Sequence, residues 1–256
     1  VNNSRYKMKV SLMSAILCST ATSSLCNAFT FSPNTSISRT HKIANALHAS
    51  PDSDTPSFAD AANTIASAAS TLRGEIVVVK YGGNAMTSPE LAAGFCQDVA
   101  VLQTLGIKMV VVHGGGPQIS HMLNAMNVDS KFENGMRVST PEVVGIAEMA
   151  LSGQVNKQIS NGICSAGGMA VGVSGRDANL MQCKKKVDPS GADIGFVGEV
   201  EIVNTDFLHS LLDNGLTPVI APIGCGVQED GDGKTSYNIN ADVAAGRVAG
   251  GMEKGP

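Results

Sequence analysis

One local design occurs twice between residues 76 and 117, and it constrains the fold more than any other feature of the sequence. An apolar run leads through a polar residue into a glycine cluster, first as IVVVKYGG at 76–83 and again as MVVVHGGGP at 109–117. Continuous β-branched runs without polar alternation are typical of strands that are covered on both faces, as in α/β sheets. The sequence therefore predicts two buried parallel strands, each leading into a glycine turn.

The glycine turns are candidates for an anion site. Glycines at the carboxyl end of a parallel strand let backbone N–H groups approach a ligand, and the helix that follows points its positive end at the same place. Two such turns at one sheet edge would converge on one anion, which we expect to be a phosphate. Lys80 ends the first strand, so its ammonium group is expected to reach into the same crevice. A single glycine turn often serves packing alone, but the repetition and the lysine favour a ligand site.

The charge distribution separates the beginning of the chain from the rest. Residues 1–51 contain five Lys or Arg and no Asp or Glu, which leaves 13 basic residues against all 22 acidic ones and a net charge of −9 for the remainder. An acidic body does not suggest a nucleic-acid binder. We therefore predict no nucleic-acid partner.

The beginning of the chain is predicted to be a targeting leader. A basic segment opens at Met8, an apolar stretch at 12–25 is too short and too rich in Ser and Thr to span a bilayer stably, and Cys26–Ala28 supplies a cleavage context before Phe29. Residues 29–50 have the acid-free, Ser/Thr-rich composition of a transit peptide. This order resembles the bipartite leaders of algae with secondary plastids, which predicts a plastid (chloroplast) stroma location and no membrane segment in the mature form. Simple secretion is the alternative.

The body contains four scattered cysteines, Cys96, Cys164, Cys183 and Cys225. They form no CxxC pair and have no metal-ligand spacing, so we expect reduced thiols and no metal site, which favours the plastid over secretion. We divide the chain into a leader and linker at residues 1–57 and one α/β domain at residues 58–256.

Periodicity and capping signals predict the elements of this domain. Helices are expected at 58–72, 89–105, 118–127, 141–164 and 205–214, strands at 169–173 and 217–223, a hairpin at 131–138, a turn at 228–235, and a final helix after Asp242. The hairpin turn is predicted at Asn134-Gly135. The lysine run at 184–186 is expected to be either a solvated loop or the edge of a hairpin.

Two common nucleotide-binding motifs are excluded. Gly233-Lys234-Thr235 ends like a P-loop, but Gln228 stands where that motif requires a glycine. Neither of the two strands is followed by GxGxxG, which argues against a dinucleotide oxidoreductase.

Four separated motifs, in this order, resemble those of the acetylglutamate kinases, the arginine-pathway branch of the amino acid kinase family. They are KYGGNAM at 80–86, HGGGP at 113–117, NGMRVS at 134–139 and YNINAD at 237–242. The resemblance runs from about Phe58 to at least Asp242. It implies a three-layer α/β sandwich with a mainly parallel sheet. It also implies transfer of the γ-phosphoryl group of ATP, with Mg²⁺, to the side-chain carboxylate of N-acetyl-L-glutamate.

The resemblance implies a phosphoryl-binding end of the site. Lys80 would stabilise the negative charge on the transferring group, because phosphoryl transfer needs positioning and charge neutralisation more than covalent chemistry. Gly82 and Gly83 would offer backbone N–H groups to the phosphoryl oxygens, and Gly115 and Gly116 would do so for the substrate.

The resemblance also implies a substrate-binding end. Arg137 would bind the α-carboxylate through its planar fork, Asn238 would hydrogen-bond the substrate, and Asp242 would orient the active-site lysines rather than act as a base. Outside the motif, Arg137 is typical of a solvated surface arginine, and Asn238 and Asp242 of a turn and a helix N-cap. His113 is expected to be either a packed core histidine or a support for its glycine turn.

The sequence departs from the family after Asp242. Family members continue into an acidic-ended strand, an adenine-binding region and a second catalytic lysine after a Gly-Met pair, whereas this sequence runs to Pro256. Gly251–Lys254 looks like that lysine motif but follows Asp242 too soon, so we assign Lys254 no role. We therefore expect the nucleotide-binding half to be largely missing and this polypeptide not to turn over ATP. A non-catalytic paralogue that binds the amino acid, or co-assembles with intact subunits, is the alternative.

The resemblance further implies partners. The helix at 58–72 resembles the extra N-terminal helix of ring-forming, arginine-inhibited members, which predicts a homo-oligomer, either dimer or hexamer, with arginine feedback as a hypothesis. Photosynthetic relatives also bind a PII-type regulator. Another amino acid kinase, acting on carbamate, aspartate or UMP, is disfavoured by Arg137 in its Asn-Gly-Met-Arg setting together with the segment at 238–242.

Overall fold

The computed structural model describes residues 57–86, 88–227 and 235–253, apart from the side chains of Phe58, Ala68 and Asn84. The predicted leader up to residue 56, the turn at 228–234 and Lys254 lie outside these residues. The chain divides between Thr71 and Leu72 into two units.

The described part of the first unit is helical, as the Ala-rich periodicity predicts: it belongs to α1 (Phe58–Leu72), whose last residue is the first of the second unit. Ser57 and Asp60 cap its beginning reciprocally: the Ser57 hydroxyl accepts from the Asp60 N–H at 3.2 Å, and the Asp60 carboxylate accepts from the Ser57 N–H at 3.2 Å. Such a pair satisfies two N–H groups that lack intrahelical partners. The sequence therefore marks the start of α1 locally.

The second unit alternates strands and helices. Its described helices are α2 (Pro89–Thr104), α3 (Gly116–Ala125), α4 (Pro141–Glu148), α5 (Asn156–Ser165), α6 (Thr205–Asp213) and α7 (Ala241–Met252), with 3₁₀ turns at Gly83–Met86 and Asp177–Asn179 and a π-helical segment at Met149–Val155. Its described strands are β1 (Ile76–Tyr81), β2 (Lys108–His113), β3 (Phe132–Glu133), β4 (Met136–Arg137), β5 (Ala170–Ser174), β6 (Met181–Lys185), β7 (Gly198–Val203), β8 (Thr217–Ala221), β9 (Ile223–Gly226) and β10 (Ser236–Asn238).

The first sheet is parallel and has the order β1-β2-β8-β5. Strand β2 is buried from Met109 to His113, and β8 is buried throughout. The prediction that both strands of the doubled unit are covered on both faces is right for β2 and wrong for β1. Because β1 lies at the edge of this sheet, its residues 76–79 are only partly buried.

The second sheet is mixed and has the order β10-β9-β6-β7. The strand predicted at 217–223 is in fact two strands in two sheets, with the change at Pro222. Proline has no N–H to donate to a neighbouring strand, so the run is interrupted at Pro222. The Pro222 carbonyl accepts from the Ile239 N–H at 3.0 Å. In the lysine run, Lys184 and Lys185 are exposed residues of β6, which pairs with β7 in a hairpin.

Helices cover both faces of the first sheet. Val110 and Val112 pack with Leu208 of α6 and Val248 of α7 on one face, while α2 and α5 pack against β2, β5 and β8 on the other. A further apolar cluster joins α3, α4 and the π-helical segment to residues 221–223. None of the described helices is long and apolar enough to cross a membrane.

Candidate functional site

The two glycine turns lie side by side. Strands β1 and β2 pair residue for residue up to Tyr81 and His113, so both turns start at the same level of the sheet. The Gly114 N–H donates to the Tyr81 carbonyl at 2.8 Å. A Cβ atom on Gly82 would lie 3.8 Å from the Gly114 Cα. The turns are therefore in contact at one edge of the parallel sheet.

The aromatic ring of Tyr81 anchors the first turn. It stacks on Phe95 with ring centroids 3.8 Å apart, and its hydroxyl donates to the Ala85 carbonyl at 2.8 Å. Burial, followed by the neighbouring Cys96, raises the pKa of Tyr81 to about 12. Within this turn Gly83 has a φ of +68°, in the left-handed region that favours glycine.

His113 supports the second turn from inside the core. Its ring is fully buried, and Nδ1 lies 2.8 Å from the Gly114 carbonyl oxygen. Because a carbonyl only accepts, Nδ1 carries the hydrogen, and Nε2 accepts from the Asn156 amide at 3.2 Å. Burial lowers the pKa of His113 to about 4, against the opposing effect of the Gly114 bond. Both sequence interpretations therefore apply to this residue, since it is a packed core histidine that also supports its turn.

Asn156 belongs to this support, and sequence reasoning missed it. Asn156 is fully buried, and its two amide N–H groups are shared among three acceptors: the carbonyls of Val219 at 2.8 Å and Val173 at 3.2 Å, and His113 Nε2. It thus joins β2, β8 and β5 where they approach the site. A Cβ atom on Gly172 would overlap the Asn156 side chain. No motif surrounds Asn156 in the sequence, so no local signal marks it.

The second turn leads directly into α3. A Cβ atom on Gly115 would lie 2.5 Å from Leu151 Cδ2, whereas Gly116 faces open space. No side chain caps α3, and Pro117 has no N–H. The Gly116 and Gln118 N–H groups therefore lie at the positive end of a helix without intrahelical acceptors. This end of α3 suits an anion.

Lys80 lies where the two turns meet α7. Its Nζ is 3.2 Å from Asp242 Oδ1, and the two side chains are 36% and 72% exposed. A Cβ atom on Gly82 would be 3.3 Å from this Nζ, so the ammonium lies directly over the first turn. The N-cap of α7 is Asn240, which accepts from the Asp242 N–H at 2.9 Å. Asp242 therefore lies in the first turn of α7 and is not its N-cap residue.

Arg137 is buried, with 8% of its surface exposed. Nη1 donates to Ser130 Oγ at 2.6 Å, and Nη2 donates to Ser120 Oγ at 2.8 Å and to the Gly116 carbonyl at 3.3 Å. The guanidinium also lies 4.6 Å from the ring centroid of Phe132. Burial lowers its pKa. The interpretation of Arg137 as a solvated surface arginine is therefore wrong, because these contacts fix it beside the second glycine turn.

The hairpin that carries Arg137 turns at Asn134 and Gly135, as predicted, with φ values of +48° and +78°. The Asn134 amide donates to the Asp188 carboxylate at 3.1 and 3.3 Å. The Ser190 hydroxyl and N–H, together with Asn134 and Lys186, lower the pKa of Asp188. An open cavity of about 640 Å³ lies between the hairpin, the segment 186–190 and Glu199, and no residue of either glycine turn lines it.

Asn238 joins the same network through Ser139. The Asn238 amide donates to Ser139 Oγ at 3.1 Å, and the Ser139 hydroxyl donates to the Arg137 carbonyl at 2.8 Å. The residues proposed from the sequence thus lie around one site. Lys80, Asp242, Gly82 and Gly83 are at one end, Arg137 and Asn238 are at the other, and Gly115 and Gly116 lie between them. Their roles stay predictions. Among the described residues, no cluster of His, Cys, Asp or Glu is arranged to hold a metal ion.

Sequence comparisons place the chain among known proteins. A profile of the amino acid kinase family matches residues 75–254. An acetylglutamate kinase of Marinomonas sp. (strain MWYL1) is 49% identical over 185 residues, which are 69% of this chain and 60% of that protein. An acetylglutamate kinase of Neisseria meningitidis serogroup C (strain 053442) is 47% identical over 200 residues, 75% of this chain and 65% of that protein. The chain therefore spans about three fifths of the length of these relatives.

Structural comparison supports the same fold. The N-acetylglutamate synthase of Neisseria gonorrhoeae, complexed with coenzyme A and N-acetyl-glutamate, matches 77% of this chain and 44% of its own length, with a TM-score of 0.65 at 21% identity. The protein smu.665 of Streptococcus mutans UA159 matches 70% of this chain and 69% of its own length, with a TM-score of 0.60 at 27% identity. The predicted α/β fold class with a mainly parallel sheet is confirmed.

Proposed function

The chain belongs to the amino acid kinase family, and we propose that it is the N-acetyl-L-glutamate-binding part of a kinase of arginine biosynthesis. That kinase transfers the γ-phosphoryl group of MgATP to the side-chain carboxylate of the amino acid. The observation that carries the proposal is the bond between the buried Arg137 guanidinium and the Gly116 carbonyl at 3.3 Å. It joins a group suited to carboxylates to a turn suited to phosphoryl oxygens.

Arg137 is suited to the α-carboxylate because it is both charged and fixed. Three of its five N–H groups donate to described residues, which leaves the Nε–H and one Nη1–H. These two groups point to different sides of the guanidinium, so one of them, together with the positive charge, would serve the carboxylate. A buried guanidinium binds a carboxylate with little solvent screening. The high identity to proteins named acetylglutamate kinase favours N-acetyl-L-glutamate as the amino acid.

The other end of the site fits the phosphoryl group. MgATP supplies the phosphoryl group and a divalent cation that neutralises part of its charge. The Lys80 ammonium, above Gly82 and beside Asp242, stabilises the charge on the transferring oxygens. The acceptor carboxylate is already ionised at neutral pH, so the reaction needs no general base. Asp242 is therefore left to position Lys80. We assign no adenine contacts to the described residues.

Calorimetric titration of the 256-residue chain tests the proposal. We expect saturable binding of N-acetyl-L-glutamate and none of L-aspartate, carbamate or UMP. The complete gene product, supplied with MgATP and N-acetyl-L-glutamate, is expected to form an acyl phosphate that hydroxylamine traps. Failure of the chain to bind N-acetyl-L-glutamate would contradict the proposal. Binding without phosphoryl transfer by the complete gene product would support the non-catalytic alternative.

Location and assembly are further parts of the proposal. The composition of residues 1–57 supports a plastid location, which a fluorescent fusion of that segment in the source cells would test. Helix α1 supports a homo-oligomer, and sedimentation of the protein with and without residues 58–72 would distinguish dimer from hexamer. Titration with arginine and with a PII-type protein would test the two proposed regulators.

A further inference from the structure

Ser139 lies at a junction between three parts of the site. Its side chain is fully buried. Its N–H donates to the Ile194 carbonyl at 3.0 Å, and its carbonyl accepts from the Phe196 N–H at 2.7 Å. Gly195 between them has a φ of +70°, and a Cβ atom there would overlap the Ser139 carbonyl. The backbone of Ser139 is therefore fixed on both sides, and so is the place of its hydroxyl.

The hydrogens of this network can be assigned from its chemistry. The Arg137 carbonyl lies 2.8 Å from Ser139 Oγ and can only accept, so the single hydroxyl hydrogen points at it. Because that hydrogen is used, Ser139 Oγ can only accept a hydrogen bond from the Asn238 amide, whose nearest atom is 3.1 Å away. The amide group that faces Ser139 must therefore be the NH₂ group. The usual ambiguity between the two ends of an asparagine amide is removed here.

The amide oxygen of Asn238 is consequently turned away from Ser139. The backbone of Asn238 is fixed as well, because its N–H donates to the Phe196 carbonyl at 3.0 Å and the residue pairs with Ile223. Within the described residues, no group donates to Asn238 Oδ1. This oxygen is available as a hydrogen-bond acceptor for a ligand.

We propose that Ser139 is a positioning residue that makes Asn238 present an acceptor, rather than a donor, to the bound amino acid. The site then selects a ligand with an N–H at the α-nitrogen, as in a secondary amide. The inference rests on the proposed function, because the contact between Asn238 and the substrate is part of that function. A site built to accept from a ligand N–H rejects an analogue that lacks it, since two acceptors then face each other.

The test compares N-acetyl-L-glutamate with (S)-2-acetoxyglutarate, the ester in which an oxygen replaces the amide N–H. Calorimetry gives the Kd of both ligands for the wild-type chain, Ser139→Ala and Ser130→Ala. We expect the wild type to bind the amide at least about tenfold more tightly than the ester. In S139A the Asn238 amide can rotate, and this preference is expected to fall to about threefold or less. Ser130→Ala is the matched control, because the Ser130 hydroxyl accepts from the Arg137 guanidinium and, among the described residues, makes no hydrogen bond to Ser139 or Asn238.

The outcomes separate the inference from the function on which it rests. A wild-type preference that persists in S139A, or equal binding of amide and ester by the wild type, overturns the inference and leaves the function standing. Absence of amide binding by the wild type overturns the proposed function and the inference together. S130A is expected to weaken both ligands and keep the wild-type ratio. Should S139A fail to fold by circular dichroism, the nearly isosteric Ser139→Cys, a weak donor, is expected to lower the ratio in the same direction.

Discussion

The two ends of the site are built in opposite ways. At the lysine end, Lys80 pairs with one carboxylate among the described residues, that of Asp242, and the two side chains are 36% and 72% exposed. At the arginine end, Arg137 and Ser139 are buried, and each makes several hydrogen bonds to neighbouring elements. This difference in burial and hydrogen bonding indicates which end needs a fixed shape. Recognition of an amino acid depends on atoms that the core holds in place, whereas the phosphoryl end relies on charge and backbone N–H groups.

Substitution of Lys80 should give the largest effect and should separate the two ends. In Lys80→Met of the complete gene product, we expect the rate of phosphoryl transfer to fall about 10²- to 10³-fold, the usual loss for a group that stabilises transition-state charge. The Kd of N-acetyl-L-glutamate should stay within about twofold, because the arginine end is untouched. Steady-state kinetics and calorimetry measure the two quantities. A large loss of binding in this variant would contradict the division of the site.

Substitution of Arg137 should give the reverse pattern. In Arg137→Ala we expect the Kd of N-acetyl-L-glutamate to rise about 100-fold, because a desolvated charge that faces the substrate carboxylate is lost. Arg137→Lys keeps the charge but not the planar fork, so most of the affinity should still be lost. Calorimetry on the 256-residue chain gives the Kd values, with circular dichroism as the control for folding. Unchanged affinity in both variants would remove Arg137 from the substrate site.

The support beneath the turns should respond to acid through His113. Its pKa is about 4 in the folded protein and about 6.5 when unfolded, so between these values the unfolded chain binds the proton and the folded one does not. The free energy of unfolding should therefore fall by about 2 kcal/mol from pH 7 to pH 5 through this residue alone. Denaturant titrations at both pH values should show a smaller fall in His113→Gln. His121→Gln, at an exposed position, is the control and should keep the wild-type fall.

The parts of the fold that the sequence predicts are those with a local cause. The doubled strand and glycine unit and the Asn134-Gly135 hairpin each depend on residues within a few positions of each other. The sequence shows a proline at position 222, but the apolar residues on both sides of it predict one continuous strand rather than two strands in different sheets. Strand order was not predictable in this way, because β8 enters between β2 and β5 from a hundred residues later in the chain.

The site residues also divide into those that local sequence marks and those that only tertiary contacts define. Lys80 is a candidate because it ends a strand beside a glycine turn, and Arg137 is one because its motif resembles that of the acetylglutamate kinases. The sequence does not predict the burial of Arg137, because its guanidinium is held by hydrogen bonds to Ser120 and Ser130 on other segments. Asn156 was missed because its acceptors are Val219, 63 residues away, and Val173. Supporting residues such as these are defined by the tertiary contacts that strand order creates.

The smallest effect is expected at Asp242, and it tests whether the lysine end is as loosely held as its exposure indicates. Asp242→Asn removes a surface ion pair, so the free energy of unfolding should change by less than about 1 kcal/mol. The matched control is Asp213→Asn, because the Lys108–Asp213 pair is similarly exposed, at 36% and 63%, but joins β2 to α6 away from the turns. Both variants should unfold at nearly the same denaturant concentration as the wild type. Only D242N should slow phosphoryl transfer by the complete gene product, by about three- to tenfold, because Lys80 loses the group that keeps it over Gly82. Equal rates in the two variants would show that Lys80 needs no positioning carboxylate, and a large loss of stability in D242N alone would show that the lysine end is as rigidly built as the arginine end.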